Sequence, residues 1–262
     1  MDLIVDGLKI FAATGGRDFD PAKPSIVLIH GAGMDHTVWV LQTRWLAHHG
    51  MNVLALDLPG HGKSEGQAYA AIGAYADWMA RFLDAAGLKQ AALAGHSLGA
   101  LIALETAARH PQSVTRLTLL GAATRMPVHP DMLASAQAGT VEVIECMTSW
   151  SHARPHHFGT NKMPGMWLLG QVHHLIERSK PGVIFNGLSA CNNYQDAPKA
   201  AAKVACPTLL ILGDSDLMTP LKGGRELAGF IKDARCVVVP GSGHMLMSEA
   251  PDATLEAIRG NL

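Results

Sequence analysis

Short apolar runs recur along the chain at Ser25–Ile29, Val53–Leu56, Ala91–Ala94, Leu117–Leu120, Thr208–Leu212 and Cys236–Val239. They are continuous rather than alternating, the pattern of strands covered on both faces. Helix-length segments separate them, among them Tyr69–Ala86, Leu98–Arg109 and Leu221–Ile231. Strand and helix in alternation predict an α/β domain built on a parallel sheet. The chain opens differently. Asp6-Gly7 between Leu3-Ile4-Val5 and Leu8-Lys9-Ile10-Phe11 is a two-residue hairpin signal, so an antiparallel pair is expected at the start.

One interval breaks the alternation. From Thr124 to Val204 the strand signals stop, and Met, His, Trp and Gly become common. A connection of roughly eighty residues is too long for a plain loop, so a helical insertion is expected, with Pro130–Trp150 and Met166–Arg178 supplying helices. The organisation expected is a core of residues 1–123 and 205–262 with a helical lid over 124–204.

Composition narrows the partners. The 262 residues are 48% hydrophobic and 16% charged, the balance of a compact globular protein. Lys and Arg total 21 against 22 Asp and Glu, a net charge of −1 that gives no electrostatic footprint for nucleic acid. No window approaches the roughly 18 apolar residues of a membrane span, and no basic segment leads into an apolar one at the N-terminus. A soluble cytoplasmic protein, with homo-oligomers allowed, is the simplest expectation. Cys146, Cys191, Cys206 and Cys236 show no CxxC spacing, and Cys206 and Cys236, beside strand-like runs, are expected as buried thiols.

The chemistry starts at Gly95-His96-Ser97-Leu98-Gly99, which follows a strand and opens a helix. A GxSxG pentapeptide in that context forces a strained turn at the serine and holds its hydroxyl above a helix N-terminus. Serine is also a good helix cap, which is the competing explanation. His30-Gly31-Ala32-Gly33 ends the Ser25–Ile29 strand, where the backbone can approach a ligand closely. The N–H groups of Ala32 and Leu98 are the candidate donors to an oxyanion.

Two further loops complete the set. Gly213–Pro220 carries Asp214 and Asp216 after one strand, and Pro240-Gly241-Ser242-Gly243-His244 follows the last. A carboxylate on the first loop can orient a histidine on the second, and spacing alone does not choose between the two aspartates. Whichever aspartate is not the acid serves as a turn or cap residue. His244 between glycines and a loop end is placed to act as general base near neutral pH. The order Ser, Asp, His, each after a strand, is that of α/β-hydrolases and differs from two common protease orders.

On these residues the chain resembles the α/β-hydrolase superfamily, and within it the lid-bearing, esterase-like serine hydrolases. The matching blocks are His30-Gly31 with Trp39, Asp57–Ser64, the Ser97 pentapeptide, Gly213–Pro220, and Gly243-His244 with Glu249-Ala250-Pro251. The resemblance implies a mostly parallel sheet of about eight strands with an N-terminal antiparallel hairpin and a helical lid. It selects Asp216 over Asp214 as the acid and gives Asp57–Ser64 structural work beneath the site. It further implies attack by Ser97 on a carboxylic ester, an acyl-enzyme, and hydrolysis by water activated by His244, with no cofactor and no metal. Relatives with an aspartate nucleophile act on alkyl halides and epoxides; Ser97 excludes that chemistry.

Lactone and carbon–carbon bond hydrolysis on the same triad remain open, as does a small-molecule receptor on this scaffold. Met245 after His244, where carbon–carbon hydrolases often carry an aromatic residue, favours esters. His30, Gly31, His96 and Met245 are expected at the pocket beside the triad, and Trp150, Met163, Met166 and Trp167 in the lid either line it or form a helical core. His152, His156, His157, His173 and His174 are expected exposed or interfacial: Pro155 interrupts their helix, no HExxH occurs, and no carboxylate has ligand spacing to them.

Overall fold

The computed structural model of the chain describes residues 1–20, 22–160, 163 and 165–262. The apolar runs become strands because each is covered on both sides. Every residue of β3 (Ser25–Ile29), β4 (Asn52–Leu56), β5 (Ala91–His96) and β7 (Thr208–Gly213) is buried. With β1 (Asp2–Val5), β2 (Leu8–Ala13), β6 (Val114–Leu120) and β8 (Ala234–Val239) they form one eight-stranded sheet in the order β1-β2-β4-β3-β5-β6-β7-β8. The strands from β3 onward pair in parallel. β1 and β2 pair antiparallel with Val5 opposite Leu8, and β2 meets β4 antiparallel. Asp6 and Gly7 both take positive φ, 52° and 78°, as a tight hairpin with the strand twist requires. The fold class read from the sequence is therefore the fold observed.

The chain runs from β3 to β4 on one side and then crosses to β5 on the other. In an open parallel sheet, ligands bind at such a reversal, beyond the carboxyl ends of the strands. Those ends here carry His30–Ala32 and Ser97 on adjacent strands, with Ile29 in register with Gly95.

Around the sheet lie α1 (Val40–His48), α2 (Ile72–Ala85) and α3 (Leu98–Arg109), in which every residue from Leu98 to Ala107 is buried. Between β6 and β7 the expected helical insertion is present: α4 (Pro130–Ala138), α5 (Val141–Trp150), α6 (Leu168–Glu177), α7 (Val183–Asn193) and α8 (Ala197–Ala201). The single segment anticipated over Pro130–Trp150 is two helices, because Gly139 takes φ 68° and ends the first. Then follow α9 (Leu221–Ala228), α10 (Leu246–Glu249) and α11 (Pro251–Arg259).

The insertion is fastened to the core by polar side chains. Ser179 Oγ donates to the carbonyl of Gly33 (2.6 Å), Lys180 Nζ to Ser64 (2.7 Å) and Asn186 Nδ2 to Ala68 (3.0 Å). Arg178 pairs with the carboxylate of Asp35 at 2.6 Å. Two sequence expectations require correction. Cys236 is exposed and Cys206 half-buried, and Cys191 is the buried thiol. For Cys236 the reason is position: β8 is the edge strand, and neither of its faces is fully covered, so the successive residues Cys236 and Val237 are both exposed. No helix among the described residues is long and apolar enough to cross a membrane.

Candidate active site

Ser97 stands between β5 and α3 with φ 55° and ψ −117°, a backbone conformation that side chains rarely adopt. The turn is tight enough that its flanking residues must lack a Cβ. One added at Gly95 would fall 2.1 Å from the Gly99 carbonyl oxygen, and one at Gly99 would fall 2.3 Å from that of Ile29. The Ser97 N–H donates to Leu120 O (2.9 Å), fixing the turn to β6. Leu98 is the first residue of α3, so its N–H is among the donors a helix leaves unused. Ala32, from the loop after β3, lies beside Ser97 on the wall of the same cavity. Helix α7 covers that loop closely, since a Cβ on Gly187 would lie 2.8 Å from the Ala32 Cβ.

The two later loops meet over the serine. His244 Nδ1 and Asp216 Oδ2 are 2.7 Å apart, with the side chains 2% and 1% exposed. Asp216 also accepts from Met218 N, Thr219 N and Thr219 Oγ1 at 2.7–2.8 Å. Burial alone would push its carboxyl up, but the His244 ring and these donors hold it below the usual carboxylate range. Asp214 is exposed and caps the Gly241 N–H at 2.8 Å instead. His244 Nε2 is buried without a hydrogen-bond partner among the described residues, and His244 and Ser97 line one cavity. An imidazole held at Nδ1 by a carboxylate accepts a proton at Nε2, the task of a general base.

The histidines around this pair form a neutral layer. His96 lies under His244, ring centroids 4.7 Å apart, and its Nε2 donates to the His244 carbonyl at 3.0 Å. Burial, with His244 beside it, drives its pKa down to about 3. His30 is fully buried, with Nδ1 on Gly31 O and Nε2 accepting from Leu58 N, and burial lowers its pKa. Both therefore support the loops rather than face the cavity. Asp57 is buried and accepts from His36 N, His36 Nδ1 and Lys63 N at 2.7–2.9 Å. Among the described residues, Asp35, His36 and Asp57 form the one group spaced for a metal ion, and their carboxylates are already engaged with Thr37, Arg178, His36 and Lys63.

The cavity lined by Ser97 and His244 has a volume of about 50 Å³, well below the roughly 300–1,000 Å³ of open small-molecule sites. Its walls include Met126, Val128, Met147, Ile176, Leu188 and Met218, and among the described residues no Asp, Glu, Lys or Arg lines it. Cys191 also lines it, and burial pushes that thiol up to about 12, so it serves as an apolar surface. The insertion residues expected there lie elsewhere. Trp150 and Trp167 are 43% and 73% exposed, Met163 and Met166 are half-buried, and none of the four is in this wall. Each sits at or outside a helix end, and the two tryptophans face solvent there, whereas Met147 is buried one turn earlier on α5. Met245 is buried and Gly31 packs on His96, both behind the wall. His152 is buried rather than exposed, where the insertion meets the His244 loop, its Nδ1 on Thr148 O at 2.9 Å. Methionines 126 and 218 were missed because they lie on connections, where no periodicity marks an inward face.

A serine at a strained strand-to-helix turn thus shares one cavity with the histidine of a buried carboxylate–histidine pair, an arrangement suited to nucleophilic hydrolysis. Residues 26–257 match the alpha/beta hydrolase family, and the chain belongs to it. Solved structures that share the fold include esterases and lactonases. The chain is similar to the pimeloyl-[acyl-carrier protein] methyl ester esterase of Chromobacterium violaceum, at 29% identity over 90% of this chain and 91% of that protein. It is 23% identical to the (E)-2-((N-methylformamido)methylene)succinate hydrolase of Acinetobacter baylyi, covering 89% and 88%. The enol-lactonase from Burkholderia xenovorans LB400 shares the fold, with TM-score 0.89, 23% identity and coverage of 99% and 98%.

Proposed function

We propose that the chain is a serine esterase acting on neutral, apolar acyl esters, with Ser97 as nucleophile, His244 as general base and Asp216 as its orienting carboxylate. The observation that carries this reading is the buried 2.7 Å His244–Asp216 pair, whose histidine lines the same largely apolar cavity as Ser97. Ser97 attacks the carbonyl while His244 Nε2 takes its proton. The N–H groups of Ala32 and Leu98 stabilise the oxyanion, each contributing about 3 kcal/mol to the transition state. The imidazolium then protonates the leaving alkoxide, and a water deprotonated by His244 releases the acid from Ser97. Residues 124–204 act as the lid that excludes bulk water and shapes the acyl site.

The apolar wall of Met126, Val128, Met147, Ile176, Leu188 and Met218 favours an uncharged acyl chain over a dicarboxylate. A lactone fits the same machinery, since its ring ester presents the same carbonyl. A cytoplasmic location belongs to this reading as well. The test is hydrolysis of p-nitrophenyl esters from acetate to decanoate by wild type and Ser97→Ala. Turnover that falls on the order of 10⁶-fold in the variant supports the assignment. Near-full activity in Ser97→Ala refutes it, and no turnover by folded wild type on any chain length points to another bond or to a receptor.

A further inference from the structure

Outside the triad, three backbone N–H groups converge on one carboxylate. Glu249 on α10 has a fully covered side chain. Its Oε2 accepts from Ala153 N (2.9 Å) and Gly243 N (3.0 Å), and its Oε1 from Met245 N (3.0 Å). Gly243 and Met245 are the two chain neighbours of His244, and Ala153 belongs to the insertion. A second clasp closes from the insertion side, where the Ser151 carbonyl accepts the N–H of His244 (2.8 Å) and of Met245 (3.0 Å). His156, also in the insertion, brings Nε2 to 3.5 Å from Glu249 Oε2. There is no slack between these parts: a Cβ on Gly243 would lie 2.5 Å from Ala153 N and 3.0 Å from Glu249 Oε1.

A buried carboxylate is costly unless its oxygens are satisfied, and buried N–H groups are costly when orphaned. Each requirement answers the other here, and the group so held is the loop that carries the imidazole. We propose that Glu249 is a positioning residue: it locks the His244 loop to insertion residues 151–153, so that the lid seat and the general base form one unit. The proposal rests on the reading of His244 as general base. Without the carboxylate, the N–H groups of Gly243 and Ala153 lose their acceptor and that of Met245 keeps only the Ser151 carbonyl, so the loop relaxes toward other partners. A misplacement of about 1 Å at a reacting group is enough to lower the rate about 100-fold.

The test compares wild type, Glu249→Gln, Glu249→Ala and Ser97→Ala by p-nitrophenyl ester kinetics, circular dichroism, and the low-field NMR resonance of the His244 Nδ1 proton. Gln keeps one acceptor oxygen and turns an NH₂ group against a backbone N–H, so its effect is partial. Expected is a fall in kcat of about 10- to 100-fold for Glu249→Gln and more for Glu249→Ala, with KM within about twofold. The His244 resonance shifts or broadens in both while the folded signal persists. Wild-type kcat together with an unmoved resonance in folded Glu249→Gln overturns the proposal. Native-state hydrogen exchange of the wild type decides the matter if the variants do not fold. The amides of Ala153, Gly243 and Met245 are expected to share one protection factor, and a tenfold faster exchange at Ala153 alone refutes the single unit. Full activity in Ser97→Ala refutes the esterase mechanism instead, and leaves the resonance and exchange results to judge Glu249.

Discussion

Gly121 offers a sharp perturbation of the proposed base, because no other side chain can occupy its place without moving His244. It follows β6 with φ +55°, held there by its own N–H on Ile211 O and by Leu120 O on the Ser97 N–H. A Cβ built on it falls 2.9 Å from both Cε1 and Nδ1 of His244 and 3.6 Å from Asp216 Oδ2. Ordinary contact begins near 3.4 Å, so Gly121→Ala must shift the imidazole by about half an ångström or twist the turn. The left-handed backbone adds about 1–2 kcal/mol of strain for alanine. In a domain of this size that lowers Tm by roughly 2–8 °C. The ring cannot retreat freely, with Asp216 at 2.7 Å on one side and the His96 ring 4.7 Å away on another. Displacement therefore lengthens the Nδ1 bond or carries Nε2 away from Ser97. Expected is a loss of about 10- to 100-fold in kcat for p-nitrophenyl butyrate, out of proportion to the small change in Tm. Steady-state kinetics beside differential scanning calorimetry measures both. An alanine variant with unchanged kcat, folded and at the wild-type Tm, refutes the proposed placement of the base.

Two other expectations follow from buried charge. Asp216→Asn lowers kcat on the order of 10⁴-fold, whereas Asp214→Asn, which alters only the exposed cap on Gly241, stays within about threefold; equal losses in parallel kinetics overturn the choice of acid. Acid weakens the fold well above the carboxylate range. His61 and His96 have folded pKa values near 3, set by burial first and then by neighbouring His30 and His244. Each is depressed below the unfolded value of about 6.5, so its full contribution to stability is present above 6.5 and is lost as pH falls toward 3. The loss is about 1.4 kcal/mol per pH unit for each, or roughly 2 kcal/mol apiece by pH 5. Urea denaturation at pH 7.5, 6 and 5 should show that slope, and His61→Gln should flatten it. Constant stability across this range contradicts the assignment of neutral buried rings.

The sheet was legible because its evidence is local. Five-residue apolar runs covered on both faces, a Gly-flanked serine after one of them and an Asp-Gly hairpin are each written within a few consecutive residues. The strained turn at Ser97 belongs here too, since Gly95 and Gly99 record in sequence the lack of room beside it. What depends on which surfaces meet was not written in any window. Spacing left Asp214 and Asp216 equivalent, and only packing buries one against His244 while the other caps a turn in solvent. The same holds for β8, whose apolar run predicts a covered strand until the sheet ends on it and exposes Cys236. It holds for the acyl wall, where Met126 and Met218 come from connections and the tryptophans of the insertion turn outward. Glu249 shows both sides, since the resemblance marks its block but not its bond to Ala153 in the insertion. Its partners lie 4 to 96 residues away, and none of them is a side chain in the sequence motif. Sequence fixes an element when its own neighbours supply the burial and hydrogen bonds. Tertiary structure decides every group whose partner is a backbone N–H or an apolar wall brought from elsewhere in the chain.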